Sequence, residues 1–90
     1  MSVGTNVGAF VIENKVTLEQ WRALLAVIDA GGYAKAAELL NKSQSAVSYS
    51  IAQLESALGV KVFQLQGRKA VPSPAGELLY RRARQLLEQA

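Results

Sequence analysis

Between Gly31 and Gly59 the chain reads GGYAKAAELLNKSQSAVSYSIAQLESALG. Two stretches with helical spacing are separated there by a very short polar connection, Asn41-Lys42-Ser43. Asn tolerates a left-handed backbone better than any residue except Gly, so Asn41 can close one helix. Ser43 is a good N-cap for the next. Two helices joined this closely must cross steeply, as they do in a helix-turn-helix. The spacing predicts the first of the pair over 33–40, with Ala36, Ala37 and Leu40 as a slim buried face. It predicts the second over 44–58, with Val47, Ile51, Leu54 and Leu58 facing the core and Gly59 as the stop.

The rest of the chain fits around this pair. A further helix starts at Thr17, where Thr17 and Gln20 have capping-box spacing. Leu18, Trp21, Leu24, Leu25 and Ile28 form its apolar stripe, which makes Trp21 a core residue, and Gly31-Gly32 ends it. Val60 to Leu65 reads as a strand, Gln66-Gly67-Arg68-Lys69 as a hairpin turn and Ala70-Val71 as the return strand, ended by Pro72. Ser73-Pro74 then opens a long fourth helix, with Ser as cap and Pro at the first helical position. Leu78, Leu79, Ala83, Leu86, Leu87 and Ala90 line one side of it. The expected fold is mainly α: a winged helix-turn-helix with a small two-stranded β wing and a long C-terminal linker helix. Residues 1–16 read as an N-terminal extension, 17–73 as the winged helix-turn-helix and 74–90 as the linker and dimerisation helix. Within the extension, AFVI at 9–12 is too short to classify.

Composition narrows the chemistry. Ninety residues, 50% hydrophobic, make one small domain. With no Cys and no His, disulfides, thiolate metal sites and the commonest general base are all excluded. No catalytic site, cofactor or metal is expected. The net charge is +3. Lys61, Arg68, Lys69, Arg81, Arg82 and Arg84 crowd the last third, opposed there by Glu77 and Glu88, which suits a polyanionic partner. No apolar run reaches membrane-spanning length and no secretory leader is legible, so the cytoplasm is the expected compartment.

The outward face of the helix at 44–58 carries Gln44, Ser45, Ser48, Tyr49, Ala52 and Gln53. No acid appears on it until Glu55. It has no large apolar anchor of the kind that drives protein interfaces, and its hydroxyls and amides match the donors and acceptors of a DNA major groove. Gln44 can pair with adenine in bidentate fashion. Ser45 and Ser48 reach a phosphate or a base edge. Tyr49 meets a thymine methyl or donates its hydroxyl, and Gln53 touches the DNA backbone. Ser43, the cap, stands at the same end. Arg68 and Lys69 at the wing tip suit the flanking minor groove, and Lys35 and Lys42 are expected phosphate neighbours. Tyr33 is either a core edge or a phosphate contact. The rival to a DNA-binding domain is a protein-interaction module that uses the fourth helix and this same face. Leu79, Ala83, Leu86 and Ala90 have coiled-coil-like spacing and are expected to form a homodimer seam.

The order helix, helix-turn-helix, wing, long helix resembles the DNA-binding domain of LysR-type transcriptional regulators. GGYAKAAELLNKSQSAVSYSIAQLESALGVKVF looks like the core signature of that family, and GRKAVPSPAGE like its wing and the start of its linker helix. The resemblance spans about Leu18 to Leu87. It implies a bacterial, nucleoid-associated regulator that binds double-stranded operator DNA as an oligomer, with antiparallel linker helices in the dimer. In that family a ligand-sensing domain typically follows the linker helix. The chain therefore reads as a fragment of a longer regulator in preference to an unusually short protein, with a higher oligomer expected if that domain is present. Four residues depart from the family pattern. Ser45 stands where Pro is frequent, Tyr49 where Arg or His is common, Lys42 in place of an apolar turn residue, and Leu65 in place of an Arg. They leave the expected fold intact and bear on which DNA sequence is read.

Overall fold

Thr17 opens the first helix as its capping spacing predicts. Its hydroxyl oxygen accepts from the Gln20 N–H at 3.1 Å, and the Gln20 side chain accepts from the Thr17 N–H at 3.1 Å. The computed structural model describes residues 16–67 and 69–88. The readings made for the N-terminal extension, Arg68 and Ala90 fall outside them, apart from Val16. In chain order the elements are α1 (Leu18–Ala30), α2 (Tyr33–Leu40), α3 (Gln44–Leu58), β1 (Phe63–Gln66), β2 (Lys69–Pro72) and α4 (Pro74–Glu88). The helix ends follow local backbone chemistry. Gly31, Asn41 and Gly59 close α1, α2 and α3 in the left-handed conformation at φ 82°, 57° and 70°. The Ser43 hydroxyl caps α3 by accepting from the Ala46 N–H at 3.0 Å.

One apolar cluster holds the elements together, with Leu24, Val47, Leu54 and Val62 among its fully buried side chains. Val16 is also buried in it, so the packed unit takes in a residue assigned to the extension. On α1 the buried face is broader than the expected stripe and turned from it. Trp21 and Leu24 are buried as expected, Leu25 and Ile28 partly so, but Leu18 is exposed while Ala23, Ala26 and Val27 are buried. The reason is that α2, α3 and α4 all contact α1. A helix pressed from several directions buries its small residues too, because they allow close approach.

The wing is antiparallel, in the register Phe63↔Pro72 to Gln66↔Lys69. It starts three residues later than the expected Val60. Val62 is drawn into the core instead, and its backbone bonds elsewhere. Its N–H donates to the Glu55 carboxylate at 2.9 Å, and its carbonyl accepts from the Ser73 N–H at 3.0 Å. Pro72 ends the return strand as its last paired residue, one beyond the expected Val71, where the missing N–H is tolerated.

Ser73 starts α4 while itself buried. Its hydroxyl donates to the Lys61 carbonyl at 2.6 Å and accepts from the Gly76 N–H at 3.0 Å. Helix α4 then packs along α1. The Tyr80 hydroxyl donates to the Asp29 carboxylate, and the Arg84 guanidinium lies 5.9 Å from the Tyr80 ring centre and pairs with Glu88. Part of the stripe expected to form a homodimer seam is therefore covered within its own domain. Ala83 is fully buried, and Leu79 and Leu86 pack partly buried against the same core. Leu78 is the large apolar side chain that α4 leaves outside, 65% exposed.

Candidate nucleic-acid interface

Helix α3 is divided lengthwise. Val47, Ile51 and Leu54 are buried, which fixes the rotation of the helix. That rotation turns Gln44, Ser45, Ser48, Tyr49, Ala52 and Gln53 outward, and all six are exposed. No acidic side chain occupies its first turn. Tyr49 is 66% exposed, and the Gln53 amide donates to its hydroxyl oxygen at 2.6 Å. The two residues are one turn apart, so the bond runs along the outer face of the helix.

The basic residues expected near this face are held in different ways. Lys35 is exposed on α2, and Lys69 is exposed on the wing opposite Gln66. Lys42 is exposed in the turn, but its ammonium pairs with the Glu19 carboxylate on α1. That hydrogen bond, and then the charge of Lys42, hold the Glu19 carboxyl below its ordinary value. Nothing in the sequence pointed to this partner, since the two residues are 23 apart. Tyr33 is half-buried, and its ring lies 5.8 Å from that of Phe63 at an angle of 60°. Burial first, and the Glu55 charge second, push its hydroxyl above the ordinary value. Tyr33 thus packs at the edge of the core, with its ring against that of Phe63 on the wing.

Glu55 has a structural part that its position in the sequence did not reveal. It faces inward, bonds the Val62 N–H, and lies 3.7 Å from the exposed Lys61 ammonium. The first acid of α3 thus turns toward the base of the wing and away from the polar face. Among the described residues there is no group of His, Cys, Asp and Glu fit to hold a metal ion.

The family model for the bacterial regulatory helix-turn-helix proteins of the LysR family matches residues 18–77. This chain belongs to the LysR family. Among curated relatives, the uncharacterised transcriptional regulator YeiE of Escherichia coli K12 is 43% identical over 75 residues, which are 83% of this chain and 26% of that protein. A probable RuBisCO transcriptional regulator of Cyanophora paradoxa is 42% identical over 71 residues, covering 79% of this chain and 22% of that protein. This LysR-family chain thus spans about a quarter of the length of the curated relatives it matches. Solved structures agree. The CbnR DNA-binding domain in complex with DNA superposes with a TM-score of 0.76 at 32% identity, over 81% of this chain and 84% of that one. The BenM DNA-binding domain on its benA site gives 0.77 at 30% identity, over 81% and 82%.

Proposed function

We propose that this chain is the DNA-binding domain of a transcriptional regulator and reads double-stranded operator DNA sequence-specifically. One observation carries the reading. Helix α3, its rotation fixed by the buried Val47, Ile51 and Leu54, presents an exposed polar face without an acid in its first turn, in a fold that matches DNA-bound domains over four fifths of its length. In this reading α3 lies in the major groove. Gln44, Ser45, Ser48 and Tyr49 face the base edges. The wing turn, with Arg68 and Lys69, lies at the flanking minor groove. Lys35 and Lys42 lie near phosphates and supply affinity without sequence information.

The functional unit is proposed to be a homodimer through α4 that presents two copies of α3 to the DNA. The dimer seam uses Leu78 together with the outer edges of Leu79 and Leu86, beside the shallow apolar groove lined by Leu58, Val60, Ala75, Leu78 and Leu79. The same groove is what favours the second reading, a module that binds another protein through α4. No helix among the described residues is long and apolar enough to cross a membrane, and the proposed place of action is the bacterial cytoplasm, at the nucleoid.

Selection of bound sites from a random duplex library, followed by affinity measurements against salt, tests the reading. A consensus should emerge, and binding should weaken steeply between roughly 50 and 200 mM salt as condensed counterions are released. No enrichment, with salt-independent retention, would overturn DNA binding and leave the protein-interaction module.

A further inference from the structure

The bond between Gln53 and Tyr49 assigns each residue a distinct task. A tyrosine hydroxyl has one proton to donate and lone pairs that accept. In this structure a lone pair is taken by the Gln53 amide at 2.6 Å. The hydroxyl's own proton is then free to point away from the helix. Tyr49 is 66% exposed, and the outer face of α3 is where it projects.

We infer that Gln53 is a positioning residue that holds the Tyr49 hydroxyl as a hydrogen-bond donor toward the DNA, so that Tyr49 selects acceptors and rejects the cytosine amino group. This rests on the proposed DNA-binding role and refines it. Major-groove edges offer acceptors at guanine N7 and O6, adenine N7 and thymine O4, and amino donors at cytosine N4 and adenine N6. Phosphate oxygens are also acceptors. A hydroxyl fixed as a donor bonds any of the acceptors and leaves the cytosine amino group unmatched. Without Gln53 the hydroxyl rotates freely and either donates or accepts, so its selectivity falls. Gln53 needs no DNA contact of its own for this, although its position on the helix alone suggests one.

The test uses the 90-residue chain, its Tyr49→Phe and Gln53→Met variants and the double variant, with circular dichroism to confirm equal helix content. Both side chains are exposed, so folding should be retained. Each protein is measured against its selected duplex and against all single base-pair changes in it. If the acceptor is a base edge, the wild-type chain disfavours cytosine at one position by about three- to tenfold, the scale of one net hydrogen bond. Tyr49→Phe removes that preference, Gln53→Met reduces it to within about twofold, and the double variant matches Tyr49→Phe, as expected of residues acting as a unit. An equal loss on every duplex would mark a phosphate oxygen as the acceptor and overturn the selection against cytosine. Three further results would overturn the inference: Gln53→Met leaving the Tyr49-dependent preference intact, Gln53→Met altering a different base position, or cytosine being favoured at the Tyr49 position. A wild-type chain that enriches no duplex would refute the DNA-binding role itself, and is thereby distinct from all of these.

Discussion

Gly76 lies so close to Val62 that a β-carbon on it would stand 2.1 Å from the Val62 carbonyl oxygen and 3.0 Å from the carbonyl carbon. That oxygen already accepts the Ser73 N–H at 3.0 Å. Backbone meets backbone here, between the connection that follows α3 and the first turn of α4. The contact sets where α4 leaves the domain.

Gly76→Ala should therefore destabilise the chain. On an open helix the change would stabilise by roughly 0.5–1 kcal/mol through helix propensity. Here the added carbon must push apart two backbone segments, and overpacking of this kind costs about 1–3 kcal/mol. The overlap wins, so the urea midpoint should fall. A raised midpoint would mean that α4 can shift away from Val62 at little cost.

Gln44→Ala should remove about 1–3 kcal/mol of discrimination at one base position, as expected for loss of a bidentate contact to adenine. Affinities for the selected duplex and its single-base variants measure this. Equal weakening on cognate and random duplexes would rule out base reading by Gln44.

Glu19→Gln should strengthen binding to any duplex. It releases Lys42 from its ion pair and removes a negative charge close to the turn before α3. The slope of log affinity against log salt should steepen by up to about 0.9, one phosphate contact. The lowered Glu19 carboxyl also sets the sign of a pH effect. The pair's contribution to stability is present above the ordinary glutamate range and is lost as the pH falls through the depressed value. The acid arm of the stability profile should be shallower in Glu19→Gln. An unchanged salt slope would show that Lys42 does not approach phosphate.

Lys69→Ala should flatten the same salt slope by about 0.9 if the wing lysine neutralises one phosphate. Titrations at several salt concentrations decide it. A slope equal to that of the wild-type chain would place Lys69 away from the DNA backbone.

Leu78→Lys and Ala83→Lys should fail in different ways. Leu78 is exposed, so a charge there should yield monomers with helix content retained. Ala83 is fully buried, and a charge there should unfold the domain at a cost of several kcal/mol. Sedimentation velocity and circular dichroism on both variants separate the two outcomes. A wild-type chain that stays monomeric at high micromolar concentration, and on DNA, would sink the proposed dimer.

Most of the helix-turn-helix was legible in the residues alone. Thr17, Ser43, Gly31, Asn41 and Gly59 mark helix ends because caps and left-handed closures are decided within a few residues of backbone. The polar face of α3 was legible for a similar reason. Val47, Ile51 and Leu54 repeat at helical spacing, and their burial obliges Gln44, Ser45, Ser48 and Tyr49 to face out. What the tertiary structure decided is how many neighbours press on each face. Periodicity shows that α1 and α4 each have an apolar side, but not that α1 would bury Ala23 and Ala26 and leave Leu18 outside. Nor does it show that Ala83 would be covered by its own domain and Leu78 would not. Long-range partners were equally hidden. Lys42 with Glu19, Tyr80 with Asp29, and Ser73 with the Lys61 carbonyl depend on where whole helices come to rest. That placement is set by packing volume and by the close approach at Gly76, which no local pattern of residues encodes.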